Sequence, residues 1–254
     1  SFFNVFSANP PIMIFSPARR VRNNTTKHTL ENALATKEVV INVVNYAIVQ
    51  QMSLSSTEYA AGVNEFEKAG LTMLKSDLVK PFRVKESPVQ YECKVNEVVE
   101  LGDGGGAGNL VICEVVKIHI DERVLDDTQM IDQQKIDLVS RMGGNWYCRA
   151  DKNAMFEVVK PIATLGIGFD QIPEDIRNSP ILTGNELGKL GGVEALPNET
   201  DVNEYKLIEL SDIFVSLEDE PEKLELKLHE IAKEKLAHND VVDAWKTLLA
   251  FNNQ

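Results

Sequence analysis

Lys27, His28 and Thr29 open the run TTKHTLENAL at residues 25 to 34, and no acidic residue precedes Glu31 anywhere in the chain. The same stretch carries Arg19, Arg20 and Arg22, although the formal net charge of the whole sequence is −13. A chain that repels anions overall has therefore kept one segment attractive to them. The run after Lys27 is helix-like, and a helix start binds phosphate because its first amide protons lack partners and the dipole is positive there. Lys27 would add a point charge and Thr29 a hydroxyl. A solvated basic loop is the other reading of the same charges, and it fits at least two of the three arginines better.

Other chemistry is poorly represented. Cys93, Cys113 and Cys148 are odd in number and form no CxxC pattern, so neither a disulfide framework nor a zinc site is expected, and the usage fits a reducing cytoplasm. His28, His119, His229 and His238 show no HExxH or HxH spacing, which argues against a metal. His119 lies in a strand-like run and reads as a packed or interfacial residue rather than a base. Strong acidity speaks against nucleic acid as partner. No apolar run approaches the ~20 residues of a membrane span, so a membrane partner is not expected either.

The elements that must position these residues can be read from periodicity. Residues 12 to 15 (IMIF) and 39 to 44 (VVINVV) bracket the helical run and read as strands buried on both faces. From Val89 to Leu101 the chain alternates: Val89, Tyr91, Cys93, Val95, Val99 and Leu101 face the core, while Gln90, Glu92, Lys94, Asn96 and Glu100 face water, with a bulge near Glu97. GDGGGAGN at 102 to 109 joins this strand to LVICEVVKIHI at 110 to 120, giving a long hairpin with a mobile loop. Its glycines match no nucleotide-loop spacing.

Residues 46 to 68 and 132 to 139 read as helix or loop. Beyond residue 160 the character changes, punctuated by Pro161, Pro173, Pro180 and Pro197, and an acidic surface stretch spans 199 to 225. Two apolar stripes close the chain, Leu224, Leu228, Ile231, Ala232 and then Val241, Trp245, Leu248, Leu249, with Asn239 or Asp240 capping the second. Such an αα-hairpin is expected to pack on the preceding domain or on a partner subunit.

The segment SFFNVFSANPPIMIFSP followed by TTKHTLENAL resembles the flavin reductase-like family of FMN-binding split barrels, which includes flavoredoxins and the reductase components of two-component monooxygenases. Ser1, Phe2, Phe3, Asn4, Ser7, Asn9, Pro10, Pro11, Lys27, Thr29 and Asn32 fill the places of the family pattern, and VVINVVN and RMGGNWY (141 to 147) also look like family segments. The resemblance covers about residues 1 to 160. It implies a mainly β fold with helices: an FMN-binding split β-barrel over 1–160 and a C-terminal α-helical extension over 161–254. It also implies one or two further strands ahead of Ser1, so that the sequence is expected to begin inside a domain.

The function it implies is NAD(P)H-dependent flavin reduction, with FMN, or alternatively FAD, as cofactor and a nicotinamide dinucleotide as transient donor. The alternative is an FMN-binding electron carrier that never takes hydride directly. A homodimer in the cytoplasm and a monooxygenase or other electron-acceptor protein as partner follow from the same resemblance. Lys27, His28 and Thr29 would hold the phosphate. The isoalloxazine would lie against Ser1, Phe2, Phe3, Asn4, Ser7, Phe15 and Ser16, with Arg141 and Tyr147 close by or reached across a dimer interface. His28 replaces the family's usual Asp and is a poorer cap, so the helix start should be capped by Thr26 or completed by the phosphate itself.

Overall fold

The computed structural model describes residues 2–160 and 165–252. Ser1 and Pro161 therefore lie outside the described residues. The chain divides into two compact units, Ser1–Glu157 and Val158–Gln254. No helix among the described residues is long and apolar enough to cross a membrane.

The first unit is built on a five-stranded antiparallel sheet. Its strands are β1 (Phe2–Ala8), β2 (Pro11–Ser16), β3 (Glu38–Asn42), β6 (Val89–Glu100) and β7 (Asn109–Ile120), in the order β1-β2-β7-β6-β3. Between β2 and β3 runs helix α1 (His28–Thr36), whose Leu30 and Ala33 pack on Cys93, Val95, Val111 and Cys113 of the sheet. Helices α2 (Val49–Ser55) and α3 (Glu65–Ala69) and the short pair β4 (Met73–Leu74) and β5 (Arg83–Val84) fill the passage from β3 to β6. A separate hairpin, β8 (Val139–Gly143) and β9 (Trp146–Arg149), carries RMGGNWY.

Several local expectations need correction. β2 and β3 are strands, but neither is buried on both faces: only Met13 of β2 is buried and β3 is half-buried throughout. Their apolar character persists because Phe15, Val39 and Ile41 pack against the core while Phe15 and residues 39 to 42 also line a cavity. On β6 the supposedly solvent-facing Gln90 and Glu92 are buried, Glu92 completely, while Leu101 is exposed. The bulge does occur, with Asn96 left over between the pairs Val95↔Cys113 and Glu97↔Ile112.

Nor does the glycine-rich loop hang free. Arg19 N–H donates to Ala107 O at 2.8 Å, Gly106 N–H to Arg19 O at 3.1 Å and Asn24 Nδ2 to Asp103 O at 2.8 Å. Asn109 Nδ2, buried, donates to Pro17 O at 2.9 Å. The loop is clasped to the basic segment, and Gly105 permits the approach, since a Cβ there would sit 2.9 Å from Val21 O.

The second unit is helical: α4 (Glu174–Arg177), α5 (Gly184–Leu190), α6 (Glu199–Glu209), α7 (Ser211–Ser216), α8 (Pro221–Ala237) and α9 (Val241–Leu249). Thr183 and Glu186 form a capping box at the start of α5, and Asp240 caps α9. The α8–α9 hairpin does not await a partner for its stripes. Trp245, Leu236 and Leu248 are covered by Ile172, Ile176, Leu187 and Leu190 of the same unit, and Trp245 Nε1 donates to Leu190 O at 3.1 Å. The acidic stretch from 199 is likewise not mere surface, because Val202, Tyr205, Leu210 and Leu224 are buried in a second cluster.

Candidate functional site

Two adjoining cavities lie in the first unit, of about 710 and 860 Å³. They share Phe15, Thr29, Met52 and Arg141. The first is walled by Phe3 and Phe15 from the β1–β2 hairpin, the inner residues of α1, residues 39 to 42 of β3, and Val139, Arg141 and Tyr147 of the β8–β9 hairpin. The second is more polar and contains Phe2, Ser16, Lys27, His28 and the 55–59 turn. An aromatic and aliphatic slot opening into a polar, basic pocket is the form taken by sites for amphipathic cofactors.

The polar pocket contains the start of α1. Lys27 occupies the N-cap position with extended backbone, and no side chain caps the helix. Thr26, the expected cap, instead donates its hydroxyl to Glu31 Oε1 at 2.5 Å. The first turn thus keeps amides available to an anion, beside the exposed Lys27 and Thr29. The arginines are mostly committed elsewhere. Arg19 bonds Asn24, and Arg20 is held by Glu58 at 2.9 Å and by Thr25, with its guanidinium also on Thr26 O. Arg22 is exposed, 3.9 Å from Glu58.

Of the residues expected at the site, Phe2, Phe3, Phe15, Ser16, Lys27, His28, Thr29, Arg141 and Tyr147 line one or both cavities. Arg141 and Tyr147 do so from the same chain, as cross-strand partners in β8–β9. Asn4 and Ser7 line neither: the Asn4 carboxamide accepts from Val5 N–H at 2.8 Å, and Ser7 follows a register shift in β1. Ser1 lies outside the described residues.

Sequence reasoning missed Glu38, Met52, Lys80 and Pro81 of the first cavity and Glu58 and Tyr59 of the second. Lys80 and Pro81 belong to an irregular segment with no motif, which only the fold brings to α1 and β3. Also missed was the buried Glu92. Its carboxylate accepts from Asp77 N at 2.8 Å, Leu78 N at 2.6 Å and Val79 N at 3.2 Å, and meets His119 Nε2 at 2.6 Å. Burial alone pushes its pKa up, but the Asp77 and Leu78 amides and His119 outweigh it and bring it down to about 2.

Asp77, Glu92 and His119 offer ligand atoms within 4.8 Å of one another. Every Glu92 oxygen there is already taken, and Lys117 pairs with Asp77 while Arg83 lies 3.9 Å from Glu92. Protein cations and amides already neutralise these carboxylates, the role a metal ion would have.

Comparison with known proteins agrees with this geometry. Residues 1–137 match the model of the flavin reductase like domain. An uncharacterized protein of Aquifex aeolicus is 37% identical over 150 residues, 59% of this chain and 74% of that one. Nitrilotriacetate monooxygenase component B from Bacillus cereus superposes with a TM-score of 0.57 at 27% identity, over 62% of this chain and 77% of the other. A split-barrel domain protein from Shewanella frigidimarina gives a TM-score of 0.52 at 32% identity, over 62% and 75%. With the sheet, the helix start and all of the cavity lining except that from the β8–β9 hairpin within the matched region, the chain belongs to the flavin reductase-like family and has its split-barrel fold.

Proposed function

We propose that this protein binds FMN across the two cavities and works as an NAD(P)H-dependent flavin reductase. The observation that carries the reading is the junction at Thr29, where an apolar slot meets an uncapped helix start bearing Lys27. Lys27, Thr29 and the first amides of α1 take the phosphate. Phe3, Phe15 and the β3 wall pack the ring and exclude water, while His28 and Ser16 border the polar end and Arg141 spans both. Bound flavin supplies the hydride acceptor, so the side chains are left to bind and orient it. FAD, with its adenylate in the polar pocket, is the variant ligand.

The protein is further proposed to act as a homodimer. This proposal follows from the family resemblance. A monooxygenase or other electron-acceptor protein is the proposed consumer of the electrons, in keeping with the component B relative. Three free cysteines suit the cytoplasm, the proposed location.

Anaerobic titration of FMN-loaded protein with NADH and then NADPH tests the activity. Rapid bleaching of the oxidised flavin bands is expected and ranks the donors. Bound flavin that stays oxidised would make the protein an electron carrier fed by another protein, and failure to bind flavin would remove the reading.

A further inference from the structure

Between β4 and β5 the chain forms a strap without regular secondary structure, and four successive backbone N–H groups of it end on two carboxylates. Asp77, Leu78 and Val79 donate to the buried Glu92, and Lys80 donates to Glu38 Oε2 at 2.8 Å. Ser76 Oγ closes the strap on Pro81 O at 2.5 Å. Loops without such anchors move, so this one is unusually well fixed. What it presents to the first cavity is Lys80 and Pro81. Among the described residues the Lys80 ammonium has no hydrogen bond or ion pair, only its backbone being engaged.

We propose that Lys80 is the cation that sets the reduction potential of a flavin seated in this cavity, with Glu92 as the positioning residue that holds its strap. The inference rests on the flavin-binding reading above. A dihydronicotinamide donor transfers a hydride, two electrons and one proton, to the ring and leaves as the oxidised nicotinamide. With no further proton taken up, the ring gains one negative charge. A cation carried into the cavity wall on a backbone-anchored strap favours that charge over the neutral oxidised ring, so it strengthens binding of the reduced form selectively.

The test is a pair of binding isotherms, for oxidised and for dithionite-reduced FMN, together with the midpoint potential of the bound flavin, on wild type, Lys80→Met, Lys80→Arg and Glu92→Gln. Lys80→Met should bind oxidised FMN as wild type does and reduced FMN about threefold to tenfold more weakly. For a two-electron couple that is a fall of about 15 to 30 mV in potential. Lys80→Arg should restore the wild-type value, and folded Glu92→Gln should shift it in the same direction as Lys80→Met. Unchanged potential in Lys80→Met overturns the inference while leaving flavin binding intact. Unchanged potential in a folded Glu92→Gln overturns the positioning role alone, and if that variant does not fold, the two Lys80 variants still decide the charge. Wild-type protein that binds neither form overturns both the inference and the reading beneath it.

Discussion

Truncating Lys27 to Ala takes a charge from the helix start without touching the core, since Lys27 is exposed and makes no cap. FMN affinity should fall by about 1 to 3 kcal/mol, as for a charge-assisted hydrogen bond, while riboflavin, which lacks the phosphate, binds nearly unchanged by fluorescence titration. Equal loss for both flavins would move the phosphate elsewhere. The thiols give a second residue-level test. Cys93 and Cys113 are fully buried, and burial pushes each thiol up to about 12. Cys148 is exposed. At pH 8 iodoacetamide should therefore label one cysteine in the native protein and three after denaturation, counted by mass spectrometry.

At the scale of elements, the strap depends on one carboxylate. Glu92→Ala leaves three backbone amides, that of Val79 buried and those of Asp77 and Leu78 part-buried, without their acceptor and should cost about 3 to 5 kcal/mol in urea unfolding. The sign of the pH effect follows from the direction of the shift. A carboxyl at about 2 in the fold and near 4.5 when unfolded contributes its full stability above pH 4.5 and loses it as the pH falls towards 2. Acid titration of the wild type in that window should show this loss, and Glu92→Gln should flatten it.

The same strap marks the limit of what the sequence discloses. Strict alternation along β6 identified the strand and its bulge, because Val89, Cys93 and Val95 do face a core. It misplaced Glu92, since period-two logic assumes water behind every polar residue, and here the water is replaced by backbone of residues 77 to 79. TTKHTLENAL announced α1, because helix periodicity is local, but the cap expected from Thr26 is not made, since its hydroxyl turns to Glu31 instead. Lys80 and the clasp of the glycine loop were invisible for the opposite reason: each is defined by a partner about forty to ninety residues away.

Taken whole, the molecule separates its charge. Residues 158 to 254 hold 19 acidic against 9 basic side chains, so most of the net −13 belongs to the helical unit and the barrel is left close to neutral. The basic segment before Glu31 is thus less anomalous in its own unit than in the full chain. Separate cores predict separate unfolding, and calorimetry should resolve two transitions. The helical one should respond first to mild acid. Burial pushes the His229 imidazole, bonded to Ser179 Oγ at 2.7 Å, below its ordinary 6.5. The unfolded chain then binds the extra proton first, and stability of that unit declines as the pH drops below about 6.5. His229→Asn should remove this slope.

The clasp between the glycine loop and residues 17 to 24 has a kinetic consequence. Helix α1 follows that segment directly, yet the bond from Asn109 to Pro17 spans 92 residues. The pocket at the start of α1 has Pro17 and Ala18 in its wall and is complete only once the β6–β7 hairpin has docked on β2 and brought Asn109 to Pro17. A flavin offered to the unfolded chain then meets no phosphate pocket and can act only on the finished barrel. Added FMN should slow unfolding in stopped-flow experiments in proportion to its concentration and leave the refolding rate where it was.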